Sequence, residues 1–284
     1  MKKLLNEYKG HTLSLIVRLL VYLSAIFTMC ILFFLIAYIL IKGIPNLSLD
    51  LFAWNYDSTN VSMMPSIINT LLMTVLTLLF AVPVGVGSAI YMVEYAKKGN
   101  KFVKLVRITT ETLQGIPSIV FGLFGFLFFV IACNWGYSLI SGALTLAIMV
   151  LPLIMRTTEE ALLSVPDSFR EGSFGLGAGK LRTIFTIVLP SAMSGILSGI
   201  ILAIGRIVGE TAALIFTAGT VAKVPSSMFS SVRTLAVHMY ALLSEGLYTN
   251  QAYATAVVLL VMVLIINGVS NVIAKKVTYT GKER

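Results

Sequence analysis

The chain has 284 residues, of which 57% are hydrophobic and 12% are charged, and its formal net charge is +9. Soluble domains contain about 25% charged residues, so this composition excludes a soluble globular protein and indicates an integral membrane protein. The positive charge is better explained by Lys and Arg in cytoplasmic loops than by nucleic-acid binding.

Six runs with few or no charges predict six transmembrane helices, because a helix needs about 20 apolar residues to cross a hydrocarbon core about 30 Å thick. The first run follows a basic N-terminus but is too long for a signal-peptide core, so we interpret it as a retained span. The predicted fold class is all-α and integral to the membrane, with one domain over residues 1–284. The predicted spans are 19–41, 67–93, 116–132, 139–155, 184–216 and 253–274, and a cytoplasmic loop covers 156–183.

The distribution of basic residues predicts that the N-terminus and the C-terminus are both cytoplasmic. Most of the 21 Lys and Arg residues lie before the first span, after the last span, and in the loops that follow the second and fourth spans. Only Lys42, Lys223 and Arg233 lie in the loops on the opposite side. Lys and Arg accumulate on the cytoplasmic side of membrane proteins, so the opposite orientation would contradict the pattern.

The last outer loop contains apolar residues at helical spacing, including Val232, Leu235 and Met239. This pattern predicts a short amphipathic helix at the outer surface. His238 lies on this helix with no second His or Cys nearby. We therefore interpret His238 as an interfacial residue and not as a metal ligand.

Arg206 and Glu210 are the two charged residues that lie well inside a predicted span. An arginine at the bilayer centre costs about 2.5–3.5 kcal/mol on insertion scales, so it persists where it is paired, hydrated or functional. On a continuous helix the two charges share one face with Gly195, Gly199 and Ala213, which predicts a polar face turned toward a bundle or cavity. Two interpretations stay open: an ion pair that fixes helix packing, and a guanidinium that lines an anion pathway.

The segment Glu171–Pro190 reads EGSFGLGAGKLRTIFTIVLP and precedes the fifth span. Its GLGAGK sequence is not a nucleotide-binding P-loop, which requires Gly, four residues, then Gly-Lys and Ser or Thr. The residue five positions before Gly179 is Phe174, and Leu181 follows Lys180. The segment is therefore not predicted to bind ATP.

The sequence predicts no catalytic or metal site. It contains no Ser-His-Asp set, Cys-His pair or His cluster, and Cys30 and Cys133 lie in or beside apolar runs without metal-ligand spacing. The adjacent Glu159 and Glu160 are interpreted as solvated loop charges. An integral-membrane enzyme that uses Glu210 as a base is disfavoured, because no second titratable group within a span completes an acid–base pair.

A motif in this segment resembles that of the permeases of binding-protein-dependent ABC importers. That motif reads Glu-Ala-Ala, three residues, Gly, nine residues, Ile, one residue, Leu-Pro, and here Gly and Ser replace the two alanines. The resemblance implies the type I ABC importer permease fold and a coupling helix that docks on a cytoplasmic ATPase. The matching residues are Glu171, Gly172, Ser173, Gly177, Ile187, Leu189 and Pro190.

A narrower resemblance, to the phosphate-specific transport permeases, covers most of the chain. It rests on TLLMTVLTLLFAVPVGVGSAIYMVEYA, GIPSIVFGLFG and GRIVGETAALIFTAG, the last of which is similar to the A subunit. The resemblance implies that Arg206 and Glu210 belong to the translocation path for inorganic phosphate. Two positions depart from the pattern: VSMMPSIINT lacks the usual Gly-Gly-Ile before its Pro, and Ala213 stands where Pro is common.

The resemblance further implies a permease subunit of an ATP-driven importer in a bacterial or archaeal plasma membrane, without catalytic activity of its own. The implied partners are a second, C-type permease, two ATPase subunits and an extracytoplasmic phosphate-binding protein. No cofactor is expected on this chain, because ATP and Mg would bind to the partner ATPase subunits. Two alternatives stay open: the same architecture importing sulfate, molybdate or another oxyanion, and a passive channel that needs no ATPase.

Overall fold

The computed structural model describes residues 12–97 and 99–282, and within those residues the chain is helical and has no strand. Short 3₁₀ turns follow α1, and π-helical turns follow α2, α4 and α7. The α-helices of the described residues are α1 (Thr12–Gly43), α2 (Met64–Ile90), α3 (Lys101–Gln114), α4 (Ser118–Gly125), α5 (Leu139–Leu163), α6 (Asp167–Gly175), α7 (Lys180–Thr183), α8 (Leu189–Val208), α9 (Ala212–Thr217), α10 (Leu235–Glu245) and α11 (Thr249–Lys282). The predicted all-α class is confirmed.

Five helical stretches of the described residues are long and apolar enough to cross a membrane. A sixth span results if the bent pair formed by α3 and the stretch Ser118–Ala132 counts as one, although its two parts meet at 105°. The break falls at the sequence GIP, where Pro117 cannot donate a helical hydrogen bond. The five stretches are Ile16–Asn46, Met64–Tyr95, Leu139–Leu163, Lys180–Val208 and Thr249–Lys276.

Two differences between the helix bounds and the predicted segments affect the candidate site. The fifth run, predicted over 184–216, ends as a helix at Val208, because Gly209 caps it and the Glu210 N–H donates to the Ile207 carbonyl in a tight turn (3.2 Å). The predicted cytoplasmic loop 156–183 is largely helical, since α5 continues to Leu163 and α6 and α7 follow. A hydropathy pattern detects apolar length and does not detect where a helix breaks or continues beyond the bilayer.

Helix α5 is the centre of the fold and packs against α2, α4, α8 and α9. In its most apolar window 67% of residues are buried, whereas the corresponding window of α1 has none. Leu146, Val150 and Ile154 of α5 form the core with side chains from the surrounding helices. Small residues allow this packing, since a Cβ at Gly85 of α2 would lie 2.8 Å from Ile154 Cγ2.

Helix α1 lies at the periphery and packs on α11. The hydroxyl groups of Tyr38 and Tyr253 lie 3.4 Å apart, and a Cβ at Gly43 would collide with the Tyr253 carbonyl oxygen. The rest of its surface is apolar and exposed. This arrangement suits a helix that faces lipid, because a soluble environment would disfavour so large an apolar surface.

Candidate functional site

The segment that the motif resemblance predicts to dock on an ATPase is called the docking segment below; it covers Asp167–Val188 and consists of α6, a glycine turn, α7 and a π-helical turn. Helix α6 ends at Gly175 and is followed by Leu176 and Gly177, and the φ of Gly177 is +80°. The Gly177 N–H donates to the Phe174 carbonyl (2.9 Å) and the Ala178 N–H to the Ser173 carbonyl (3.1 Å), which closes the helix C-terminus. A residue with a Cβ would adopt this left-handed conformation at a cost of about 1–2 kcal/mol, so the backbone explains the motif glycine.

The small residues before this glycine have different environments. Ser173 is buried, and its hydroxyl lies 2.8 Å from that of Thr183. This contact joins α6 to α7, so a small polar residue is favoured at position 173. Glu171 and Gly172 are exposed on α6 and remain available to a partner.

A groove of about 540 Å³ lies between α6 and the π-helical turn that precedes α8. Ser173 and Ile187 line it, and Leu176 stands at its edge with 91% of its surface exposed. Phe174 and Leu181 are also apolar and exposed nearby. Leu189 and Pro190, the last motif residues, form the first turn of α8, which continues the helical stretch that begins at Lys180.

Arg206 and Glu210 lie on either side of a helix break. Arg206 is in the last turn of α8, where a cation interacts favourably with the helix dipole. Glu210 is buried and its Oε1 accepts from the Ala213 N–H at 3.1 Å, at the start of α9. The prediction that the two charges share one helix face is therefore wrong.

No ion pair of the described residues joins Arg206 to Glu210, so the packing interpretation of a paired Arg206 has no support in this conformation. Within residues 12–97 and 99–282, the Arg206 guanidinium makes no hydrogen bond, and the residue is partly buried. Its five N–H donors are thus available to an oxyanion.

The break between α8 and α9 leaves the backbone of Gly209, Glu210 and Thr211 outside a regular helix. Non-helical backbone at membrane depth is tolerated where it is buried in protein or lines a water-filled cavity. A broken helix with a partly buried arginine at one end is therefore typical of a polar path.

Helix α9 is held against α4 by a close backbone approach. A Cβ at Gly122 would lie 2.8 Å from Ala213 Cα, and at Gly125 it would collide with Thr145 Oγ1. At Gly125 the obstacle is the Thr145 side chain of α5, whereas at Gly122 it is the Ala213 backbone, which cannot yield as a flexible side chain would, so position 122 requires glycine. This contact positions the N-terminus of α9 that Glu210 caps.

Two ion pairs at the predicted cytoplasmic end are absent from the sequence predictions. Arg107 Nη2 lies 2.5 Å from Glu159 Oε1, and Arg170 Nη2 lies 2.8 Å from Glu94 Oε1. Glu159 is therefore not the solvated loop charge that was expected; it lies on α5 and is mostly buried. The partners lie 52 and 76 residues apart in the chain, and no local pattern in the sequence signals them.

Tyr56, Arg233 and His238 form a second polar cluster beside α10. His238 is fully buried, which contradicts its interpretation as an interfacial residue. The Arg233 guanidinium lies 5.3 Å from the centre of the Tyr56 ring, and its Nη1 lies 3.3 Å from His238 Nδ1. An arginine can only donate, so Nδ1 accepts and is unprotonated. Burial first, and the Arg233 charge second, lower the pKa of His238 from 6.5 to about 4.

We expect His238 to make the folded protein sensitive to acid. The pKa of His238 is lower in the folded protein than in the unfolded chain. The contribution of neutral His238 to the free energy of unfolding is therefore present above pH 6.5 and is lost as the pH falls toward 4. At pH 5 the loss is about 2 kcal/mol. The thermal unfolding midpoint in detergent should fall less between pH 7 and pH 5 in His238→Gln than in the wild type, and equal pH dependence would contradict the burial effect.

The described residues contain no group of three or more His, Cys, Asp or Glu side chains that could hold a metal ion. Cys30 and Cys133 are free thiols. The candidate site therefore consists of the docking segment and the broken helix with its two charges.

Comparison with known proteins gives one family and several relatives. The family model of the binding-protein-dependent transport system inner membrane component matches residues 81–279. The chain is 36% identical over 251 residues to a Bacillus subtilis protein named probable ABC transporter permease protein YqgI, covering 82% of this chain and 85% of that one. It is 34% identical over 236 residues to the phosphate transport system permease protein PstA of Xylella fastidiosa, covering 80% of each. The Haemophilus influenzae PstA is 32% identical over 250 residues, covering 87% and 88%.

Solved structures show the same fold at low identity. An inward-facing MetNI methionine ABC transporter matches with a TM-score of 0.58 and 19% identity over 85% of this chain and 97% of that one. A bacterial ABC transporter involved in the import of the acidic polysaccharide alginate matches with a TM-score of 0.60 and 16% identity over 95% and 99%. These likenesses show the fold of a type I ABC importer permease.

Proposed function

The chain belongs to the family of binding-protein-dependent transport system inner membrane components, and from this we propose that it is the A-type permease subunit of an ATP-driven phosphate importer. The observation that supports phosphate as the substrate is the 32–34% identity, over most of the chain, to permeases of phosphate transport systems. The protein is a multi-pass protein of the bacterial membrane and a transport component, not an enzyme.

The proposed orientation has both termini in the cytoplasm. The excess of Lys and Arg before α1, after α11 and in the loops after the second and fourth spans supports it. This orientation puts the docking segment on the cytoplasmic side. The chain continues from the end of this segment, Val188, through α8 for about 27 Å before Arg206, at 1.5 Å per residue.

The docking segment would bind one of two ATPase subunits, which would hold ATP and Mg. The support is the exposed apolar edge at Leu176 beside a groove of about 540 Å³, together with exposed Glu171 and Gly172. Ser173, Gly177 and Ile187 shape this surface, and Leu189 and Pro190 join it to α8. The other proposed partners are a C-type permease and an extracytoplasmic phosphate-binding protein.

Arg206 and Glu210 would lie on the phosphate path. An oxyanion that leaves water needs fixed donors and positive charge, and a guanidinium offers paired N–H groups to phosphate oxygens. Arg206 supplies that charge beside a helix break, while Glu210 holds the break in shape through the Ala213 N–H. A guanidinium without a carboxylate partner suits transient binding, because no internal ion pair has to be broken first.

The experiment that tests this function is uptake of radiolabelled phosphate into proteoliposomes that contain the whole complex with its binding protein. We expect uptake that requires ATP on the side of the membrane that the ATPase subunits face. This uptake should persist in a tenfold excess of sulfate or molybdate. Uptake that follows sulfate or molybdate instead would contradict phosphate as the cargo. Flux through the isolated chain without ATP would support a passive channel and contradict the ATP-driven importer.

A further inference from the structure

The Arg170–Glu94 ion pair differs from the other charged contacts at the cytoplasmic end by its burial. Arg170 Nε and Nη2 both donate to Glu94 Oε1, at 3.1 and 2.8 Å. The side chains are 14% and 7% exposed, whereas those of the Arg156–Glu160 pair are 53% and 64% exposed. An exposed pair contributes little, but a buried charge that loses its partner is strongly unfavourable, so these two side chains are constrained to move together.

Arg170 also holds the end of α5. Its Nη1 donates to the Val165 carbonyl at 2.7 Å and its Nη2 to the Leu162 carbonyl at 2.9 Å. The Val165 carbonyl lies just after the end of α5, where backbone acceptors lack intrahelical partners, and the Leu162 carbonyl in the last turn also accepts from the Val165 N–H at 3.3 Å. One side chain thus connects α6, the end of α5 and the π-helical turn Tyr91–Tyr95 that follows α2.

A second contact joins the same two segments. Lys180 Nζ of α7 lies 4.9 Å from the centre of the Tyr95 ring, one residue after Glu94. The π-helical turn therefore contacts the docking segment through both α6 and α7. Such turns insert one residue into a helix and are frequent at functional positions.

The outer end of α2 is also attached to another segment. Asn69 Nδ2 donates to the carbonyls of Lys223 (2.9 Å) and Arg233 (3.2 Å), and the Leu235 N–H donates to Thr70 Oγ1 at 2.8 Å. The outer segment, residues 217–234, begins where α9 ends and leads into α10. Helix α2 with its π-helical turn is about 48 Å long and is fixed at both ends by hydrogen bonds to other parts of the chain.

We propose that Arg170 and Glu94 are positioning residues that transmit movement of the docking segment to α2, and through α2 to the outer segment. This inference rests on the proposed function, because it assumes that an ATPase moves α6. It adds a second route to the covalent one from α7 into α8. The route through α8 ends at Arg206, whereas the route through α2 ends at the outer segment. ATP binding would therefore move both Arg206 and the outer segment.

The test compares single and double leucine variants in the complete reconstituted complex. Glu94→Leu and Arg170→Leu each strand one buried charge, so both should lower the thermal unfolding midpoint and the phosphate moved per ATP hydrolysed. The double variant strands no charge, and an apolar pair of similar volume can replace a buried ion pair without loss of stability. We expect its midpoint to recover toward wild type while phosphate moved per ATP stays at least about tenfold reduced. Glu160→Leu, in the exposed pair with Arg156, is the matched control and should change neither.

A second measurement does not depend on the substrate. A fluorescent probe at Val224→Cys, in a Cys30→Ser/Cys133→Ser background, reports on the outer segment when ATP and Mg are added to the complex. We expect a signal change in the otherwise wild-type chain and its loss in the double leucine variant. The inference would be overturned if the double variant moved as much phosphate per ATP as the wild type, or if its fluorescence change persisted. It would also be overturned if the otherwise wild-type chain showed no fluorescence change. A wild-type complex that shows the signal change but takes up no phosphate would instead overturn the proposed cargo alone.

Discussion

Replacing Arg206 by Gln is expected to abolish phosphate uptake while the complex with the ATPase still assembles. The residue is partly buried, makes no ion pair within the described residues, and lies about 27 Å along the helix from the end of the docking segment, so the variant leaves that segment unchanged. A hydrogen bond to a charged group is worth about 1.5–3 kcal/mol, and loss of two such bonds lowers the rate of uptake by about 100-fold or more. Uptake is measured in proteoliposomes, and assembly by co-purification.

Two further variants separate charge from geometry at this site. Arg206→Lys keeps the positive charge but cannot offer a planar pair of donors, so uptake should be intermediate. Glu210→Gln keeps a side-chain oxygen that can accept from the Ala213 N–H, so it should retain the helix break and much of the uptake. Normal uptake in Arg206→Gln would contradict a role of Arg206 in the phosphate path. Complete loss of uptake in Glu210→Gln would show that the Glu210 charge has a role besides accepting the hydrogen bond from the Ala213 N–H.

Apolar length and the bias of basic residues were sufficient to predict an all-α membrane protein, since both are local properties of the sequence. The break after Val208 could not be predicted in this way. Residues 184–216 are uncharged apart from Arg206 and Glu210 and mostly apolar, and a continuous helix would satisfy the same hydropathy. The break depends on α9 packing against Gly122 of α4, a contact between residues about 90 positions apart.

The docking segment was predictable to the extent that its chemistry is local. Glycine is favoured at position 177 because the backbone there has a positive φ, and the motif spacing identifies this position in the sequence. Glu94 carries no such signal, because a carboxylate after an apolar run is an ordinary charge at a span boundary. Its role depends on a partner at position 170 that only the folded chain brings near. The sequence therefore predicts a segment that would meet a partner, and the structure adds the contacts that hold this segment to the helices.

Replacing Leu176 by Asp is expected to release the ATPase subunits from the permease. Leu176 is 91% exposed at the edge of the groove beside α6, so the change should not destabilise the isolated chain. Burial of a leucine in an interface contributes about 1.5–3 kcal/mol, and an aspartate there adds the cost of desolvating a charge. The affinity for the ATPase should fall at least about 100-fold, as measured by co-purification and by ATP-dependent uptake.

Leu49 provides a matched control for Leu176. It is also 91% exposed, but it lies in a 3₁₀ turn after α1, on the side predicted to be extracytoplasmic. Leu49→Asp makes the same chemical change in an equally exposed residue and should leave the ATPase bound, because in the proposed orientation Leu49 lies on the opposite side of the membrane from the docking segment. Release of the ATPase by both variants would indicate a general effect on folding, and release by Leu49→Asp alone would reverse the orientation. Retention of the ATPase in Leu176→Asp would contradict the assignment of the groove as the docking surface, because an aspartate at its most exposed apolar position could not be accommodated in a dry interface without a large loss of affinity.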